Sequence, residues 1–182
     1  MSWGLFKSIL QPAMEGHVYG NDMDAFASSF TNAYDMAIKM GSNPINNVPL
    51  MHGNTDMMKT ILSQLLMTTQ LSNTTTLLDV IGPAVIAYWA GAQLALIPPV
   101  IPATGALMNI TTTSAPVLNP GTWTAFPCPP SNTSKVFLDA FVLSAKLHLM
   151  TISGFYAVIA QYPPPAPAAP GIVPWNSYIV SD

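Results

Sequence analysis

The chain has 182 residues, of which half are apolar and only 7% are charged, with a formal net charge of −3. An average soluble domain is about 25% charged. This length fits one domain with tails, and the apolar content excludes a disordered polyelectrolyte. The sequence contains no arginine. Because a nucleic-acid-binding surface needs a basic stripe, we expect no nucleic-acid partner.

The few charges are unevenly distributed along the chain. Two long stretches, residues 80–134 and 147–181, carry no Asp, Glu, Lys or Arg. A monomer normally intersperses charges over its surface. These stretches must therefore be covered by other subunits, lie in lipid, or be solvated through hydroxyl and amide groups. The Thr, Ser and Asn residues of 104–134 suit solvation, whereas the apolar runs require burial.

Two helices are expected near the N-terminus. Apolar residues from Trp3 to Leu10 follow the spacing of a short amphipathic helix. Asn21-Asp22 can cap a second helix over about 22–40, since their side-chain oxygens can accept free backbone N–H groups and the charge of Asp22 suits the positive end of the helix dipole. Large apolar side chains repeat every four residues in that segment, at Phe26, Phe30, Tyr34 and Ile38.

Three further helices are predicted from capping residues and apolar stripes. The first covers about 55–71 and is capped by Asn54 or Thr55. The second covers about 76–96, where Pro83 should kink or delay the helix. The third is long, about 135–161, after Ser134. The sequence thus predicts a mainly α fold of four to five helices, including one long C-terminal helix.

Residues 97–133 and 162–182 have a different character. The first segment is rich in Pro and Thr and is expected to be an extended insertion or a small β-hairpin. The second is a Pro-rich, polyproline-like arm that could lie along a partner at low entropic cost. The alternative is a tail folded onto its own core. We therefore divide the chain into a single helical domain, 1–161, and a C-terminal arm, 162–182.

Aromatic and apolar residues of these two segments are the candidate contact residues. Aromatic anchors are typical hot spots of protein interfaces. The candidates for interaction with other subunits are Trp123, Phe126, Trp175, Tyr178 and Ile179.

A membrane-spanning role is the alternative explanation for the scarce charge. The best apolar window, 80–98, contains Gly82-Pro83, and the second, 136–162, carries Asp139 and Lys146. A charge at the centre of a spanning helix costs about 2.5–3.5 kcal/mol. Burial against protein partners is therefore favoured, and a membrane-active hairpin of helices 76–96 and 135–161 is kept as the alternative.

No constellation for catalysis, cofactor binding or metal binding is found in the sequence. The histidines, His17, His52 and His148, are far apart, whereas a zinc site needs three or four ligands within reach. Cys128 has no base or cation beside it in sequence, so an inert thiol is expected. We predict that the chain is not an enzyme and holds no cofactor.

Three segments carry a resemblance to a known group of proteins. They are residues 24–38 (DAFASSFTNAYDMAI), residues 77–84 (LLDVIGPA), and residues 162–175, with their repeated prolines before Trp175. These segments resemble small uncharacterised virion structural proteins of T4-like, especially marine, tailed bacteriophages. The resemblance implies a structural component of a phage particle, assembled in the host cytoplasm.

The predicted function combines this resemblance with the scarcity of charge. We expect a virion subunit, in the tail or baseplate, that acts through subunit packing and extended arms. Its partners would be copies of itself, as a homo-oligomer, and other virion proteins. A decoration protein of the head or neck is a further alternative.

Overall fold

A computed structural model describes residues 2–15, 22–43, 49–69, 76–95, 109–112, 117–127, 133–161 and 169–182. The helices within these ranges are α1 Ser2–Glu15, α2 Met23–Lys39, α3 Thr55–Thr68, α4 Leu77–Trp89 and α5 Ser134–Thr151. The strands are β1 Leu50–His52, β2 Gln93–Leu94, β3 Asn109–Thr112, β4 Val117–Asn119, β5 Ser153–Gln161 and β6 Ala169–Asn176. The predicted fold class, mainly α with small β elements, is confirmed.

The capping residues place the starts of α2 and α3 as expected. The Asp22 carboxylate accepts a hydrogen bond from the Ala25 N–H at 2.9 Å. The Asn54 side chain accepts one from the Met57 N–H at 3.3 Å. Each bond satisfies a backbone donor that has no partner within the helix. The helices predicted over 22–40 and 55–71 are therefore confirmed, with α3 ending slightly early at Thr68.

Helix α4 begins as predicted but ends well before residue 96. Thr76 and Asp79 form a reciprocal capping box at its start. Pro83 lies inside the helix and does not delay its start. The helix stops at Trp89, and Gly91 follows with a φ of +83°, a left-handed conformation that glycine adopts without steric cost.

The long helix predicted over 135–161 is wrong in its last third. Helix α5 ends at Thr151, Ile152 is extended, and β5 follows directly. An apolar run rich in aromatic and β-branched residues fits a paired strand as well as a helix, so periodicity could not decide between them. The 18 residues of α5 correspond to a helix of about 27 Å, whereas a helix over 135–161 would be about 40 Å long.

Strand β5 is the centre of an antiparallel sheet. It pairs with β6 over eight residues, from Ser153 opposite Asn176 to Ala160 opposite Ala169. On its other side it pairs with β3 and with β4. Within the described residues of the segment 97–133, β3 and β4 each pair with β5 and do not pair with each other. Within the described residues β6 is an edge strand, and it contains Pro170 and Pro174.

The described part of the C-terminal segment folds back onto the helices. Residues 162–168 of the predicted arm lie outside the described residues, whereas 169–176 form β6. After β6, Ser177 adopts a φ of 62° and its N–H bonds to the Ile152 carbonyl at 2.7 Å. Ile179 then bridges Ser42, after α2, through two hydrogen bonds of 2.9 Å. Residues 174–182 thus pack onto the core of their own chain, as in the alternative to a free arm.

The core is built around the ring of Phe141 on α5. Its ring centroid lies 4.9 Å from that of Phe6 and 4.9 Å from that of Phe30. Three more aromatic rings lie within 6.4 Å of it, those of Trp3, Tyr34 and Trp123. Aromatic pairs in edge-to-face and stacked arrangements add to the energy of simple burial. One face of α5 is therefore fixed towards α1 and α2.

Candidate interaction surface

A second face of α5 binds an extended segment, residues 120–126, which we call the strap. Polar side chains one turn apart on α5 meet the strap backbone. The bonds join Ser144 Oγ to the Phe126 N–H at 2.6 Å, His148 Nε2 to the Pro120 carbonyl at 2.8 Å, and Thr151 Oγ1 to the Thr122 N–H at 2.9 Å. The polar residues on this face of α5 thus form hydrogen bonds with the backbone of the same chain.

His148 is a neutral, buried member of this contact. The Pro120 carbonyl can only accept, so Nε2 of His148 carries the proton and donates it. Nδ1 is buried without a hydrogen-bond partner among the described residues. Burial lowers the pKa of His148 from 6.5 to about 4, because desolvation disfavours the charged imidazolium. His148 is therefore a structural residue of the core.

Trp123 is a contact within the chain. Its indole N–H donates to the carbonyl of Leu78, in α4, at 3.1 Å. A Cβ atom at Gly82 would collide with the same indole, so the glycine leaves room for the ring. The half-buried Trp123 side chain therefore joins the strap to α4 and α5.

Trp175 and Tyr178 are also buried by the chain itself. Trp175 is 0% exposed and Tyr178 is 2% exposed. In this conformation neither ring is accessible to a partner, which corrects the expectation that they lie free on an arm. The burial follows from β6, which pairs with β5 and directs the residues after it across α2 and α5.

Two of the five candidate contact residues do lie on the surface. Phe126 is 41% exposed at the end of the strap, and Ile179 is 55% exposed beside Ser42. Their roles in binding other subunits stay predictions. They lie on different segments, and no hydrogen bond or ring contact joins them within the described residues.

The outward face of α5 is apolar. Four of its side chains are between 44% and 69% exposed, namely Val136, Leu143, Leu147 and Met150. They follow one another at intervals of seven, four and three residues, which places them on one face of the helix. We call these four residues the α5 stripe. From first to last it is about 21 Å long, at 1.5 Å per residue.

A row of charges follows one side of the α5 stripe. Asp139 pairs with Lys7 of α1 at 2.6 Å, and Lys146 pairs with Asp182 at 2.6 Å. The hydrogen bond from the Lys146 ammonium lowers the pKa of Asp182. All four side chains are at least one-third exposed, so these pairs add little to stability. They place a negative and a positive charge, those of Asp139 and Lys146, beside the apolar surface.

The α5 stripe could not be located from the sequence. Helix α5 carries apolar residues on most of its faces, so hydropathy does not show which face is covered. The strap and the core together decide this, because Trp123 and its neighbours cover one face of the helix and Phe141 packs against α1 and α2 on the next. The face with the α5 stripe stays exposed. The available signal was the interval of seven, four and three residues between Val136 and Met150.

Other kinds of site are not found in the part of the chain that the structure describes. No group of three or more His, Cys, Asp or Glu residues there could hold a metal ion. No helix among the described residues is both long and apolar enough to cross a membrane. His52 is exposed on β1, while His17 and Cys128 lie outside the described residues.

Comparisons with known proteins identify no relative of this chain. No family model, curated protein or solved structure matches the chain. The resemblance to phage virion proteins therefore stays an expectation from the sequence segments.

Proposed function

We propose that the chain is a structural subunit of a bacteriophage virion, in the tail or baseplate, that acts by packing against copies of itself and other virion proteins. The observation that carries this proposal is the α5 stripe. It is a continuous apolar surface on a chain in which only 7% of residues are charged.

The physical argument concerns the free energy of the exposed apolar surface. Burial of apolar area gains about 25 cal/mol per Å². A contiguous exposed patch that is rimmed by polar residues marks an interaction site more often than scattered single residues do. The α5 stripe has this form, with Asp139 and Lys146 along one edge. Covering it in an assembly stabilises the assembled state over the free chain.

A first experiment measures association of the purified chain. We expect light scattering after size exclusion to show a mass that rises with concentration. Leu143→Asp places a charge within the α5 stripe and should suppress the rise. Met67→Asp is the matched control, since Met67 is 65% exposed on α3 and lies away from the stripe. A wild-type chain that stays monomeric at high concentration contradicts the proposal.

A second experiment concerns the virion. Mass spectrometry of purified phage particles should find the chain in fixed stoichiometry with tail or baseplate proteins, and labelled particles should carry it there. The Leu143→Asp variant should be made in the host but be depleted from particles. A chain that is missing from particles altogether argues against a virion role.

A further inference from the structure

We propose that the α5 stripe packs against the α5 stripe of a second copy, with the two helices antiparallel and related by a two-fold axis. This inference rests on the proposed function in one respect, that the chain assembles. It adds the identity of the partner and the orientation of the contact.

The first support is the spacing of apolar residues on α5. Val136, Ala140, Leu143, Leu147 and Met150 follow one another in alternating steps of four and three. This is the a/d pattern by which one helix packs against another, with Ala140 and Leu147 at position a and the other three at position d. Ala140 is 6% exposed, so it forms the floor between larger neighbours.

The second support is the charge pattern beside the stripe. Asp139 and Lys146 both occupy position g, seven residues apart and opposite in sign. When one of two packed helices is reversed, the same side of both helices comes together. Asp139 of each copy then faces Lys146 of the other, and each contact adds an attraction to the pair that the residue already forms within its own chain, with Lys7 or with Asp182. Charges at positions e and g are known to set helix orientation.

A parallel arrangement lacks this complementarity. Position g of one helix would then face position e of the other, and the e positions concerned are Ser144 and Thr151. Ser144 is buried beneath the strap and neither residue is charged. The charge row therefore favours the antiparallel orientation specifically.

The sizes of the side chains also agree with an antiparallel register. When layers of a and d residues alternate, Ala140 of one copy lies opposite Leu143 of the other. Val136 then lies opposite Leu147. Each layer combines a smaller and a larger side chain, which allows the helix axes to approach to about 8–10 Å.

The expected strength of this contact is modest. A single helix contact of about 21 Å buries less than the roughly 1,200 Å² that marks the lower end of stable interfaces. We therefore expect a dissociation constant in the micromolar range. A two-fold contact uses the same surface on both copies, so the assembly it forms is a dimer.

Disulfide trapping tests the orientation. In a Cys128→Ser background, Val136→Cys and Leu147→Cys are made separately, oxidised alone and oxidised as a mixture. Because a disulfide needs Cα atoms within about 7 Å, the antiparallel pair predicts a cross-linked dimer in the mixture, at least tenfold above either variant alone. Cross-linking of each variant with itself would instead indicate a parallel pair and overturn the proposal.

Charge reversal supplies an independent test. Lys146→Asp and Asp139→Lys should each weaken self-association about tenfold, because each variant places like charges opposite each other twice. Mixing the two variants restores both attractive contacts, so the mixture should associate as tightly as the wild type. The ion pairs within each chain are the same before and after mixing. A rescue in the mixture therefore reports on contacts between chains and not on the stability of either variant.

The outcomes separate this inference from the proposed function. A wild-type chain that associates while neither the mixed cross-link nor the mixing rescue is seen overturns the antiparallel α5 pair and leaves assembly intact. A wild-type chain that stays monomeric overturns both.

Discussion

The hydroxyl of Tyr178 donates a hydrogen bond of 3.1 Å to the backbone carbonyl of Ile38, 140 positions away in the chain. The same oxygen accepts the Leu50 N–H at 2.9 Å. One side chain of the C-terminal segment thus satisfies two backbone groups, one at the end of α2 and one in β1. The segment after β6 is in this way an integral part of the core.

Replacing this phenol should be costly despite the small change in volume. Tyr178→Phe removes the hydroxyl and leaves the Leu50 N–H without this partner, whereas the Ile38 carbonyl still accepts the Gly41 N–H at 2.9 Å. A buried polar group that loses its partner costs about 1–3 kcal/mol. We expect the free energy of unfolding in urea to fall by about 1–3 kcal/mol. A loss below about 0.5 kcal/mol would show that water replaces the hydroxyl.

Acid should weaken the contact between α5 and the strap. The pKa of His148 is about 4 in the folded chain and 6.5 in the unfolded chain, so below pH 6.5 the unfolded chain binds a proton that the folded chain does not. The contribution of His148 is complete above pH 6.5 and is lost as the pH falls towards 4. The loss reaches about 3 kcal/mol.

The measurement is the free energy of unfolding between pH 7 and pH 4.5 for the wild type and for His148→Gln. Glutamine keeps a donor for the Pro120 carbonyl but does not titrate. The difference between the two chains should therefore shrink or reverse as the pH falls. Parallel pH profiles would mean that His148 titrates normally and is not buried as the structure has it.

The close approach of Trp123 to α4 can be tested with two glycines. Gly82→Ala places a methyl group against the indole ring, and overpacking of this kind costs about 1–3 kcal/mol. We expect reduced stability and a shift in tryptophan fluorescence. Gly4→Ala is the control, since nothing lies within 4 Å of a Cβ there. That change should stabilise α1 by about 0.5–1 kcal/mol.

Truncation after Gln161 should destabilise the fold as well as affect assembly. From the sequence alone, removal of a free arm would leave helicity unchanged. The structure instead predicts that loss of Trp175 and Tyr178 exposes the core, since both are buried. Thermal unfolding followed by circular dichroism should lose its sharp transition. A truncated chain with the wild-type melting curve would restore the free-arm interpretation.

The helices were predictable because their signals are local. Asp22 and Asn54 each cap a helix where the sequence indicates. A cap acts within four residues and needs no knowledge of the remaining chain. The starts of these helices were therefore placed within about a residue, while their ends varied by several residues.

The sheet was not predictable because its contacts are non-local. Strand β5 follows α5 after a single residue and is stabilised by β6 and by β3 and β4, which lie well before it in the chain. Its apolar residues continue the pattern of the helix. Only the presence of partner strands decides between the two structures, and a single sequence does not show which strands will pair.

The candidate surface was missed for a similar reason. Aromatic residues dominate the energetics of protein interfaces, yet Trp123, Trp175 and Tyr178 make their contacts within the chain. Which apolar residues remain outside depends on where the strap lies. The α5 stripe becomes visible only once Ser144 and His148 are seen to hold the strap on the adjacent face of the helix.

The prolines of β6 restrict how copies can meet. Pro170 and Pro174 are four residues apart, so both lack an N–H on the same side of the strand. The pairing of β6 with β5 is unbroken, so the positions without an N–H face away from β5. They lie on the outer edge of the sheet, where proline is tolerated. An incoming strand would find carbonyls there but too few donors. Growth by adding strand to strand is thus discouraged along β6, and contacts between copies are directed to side chains on helices.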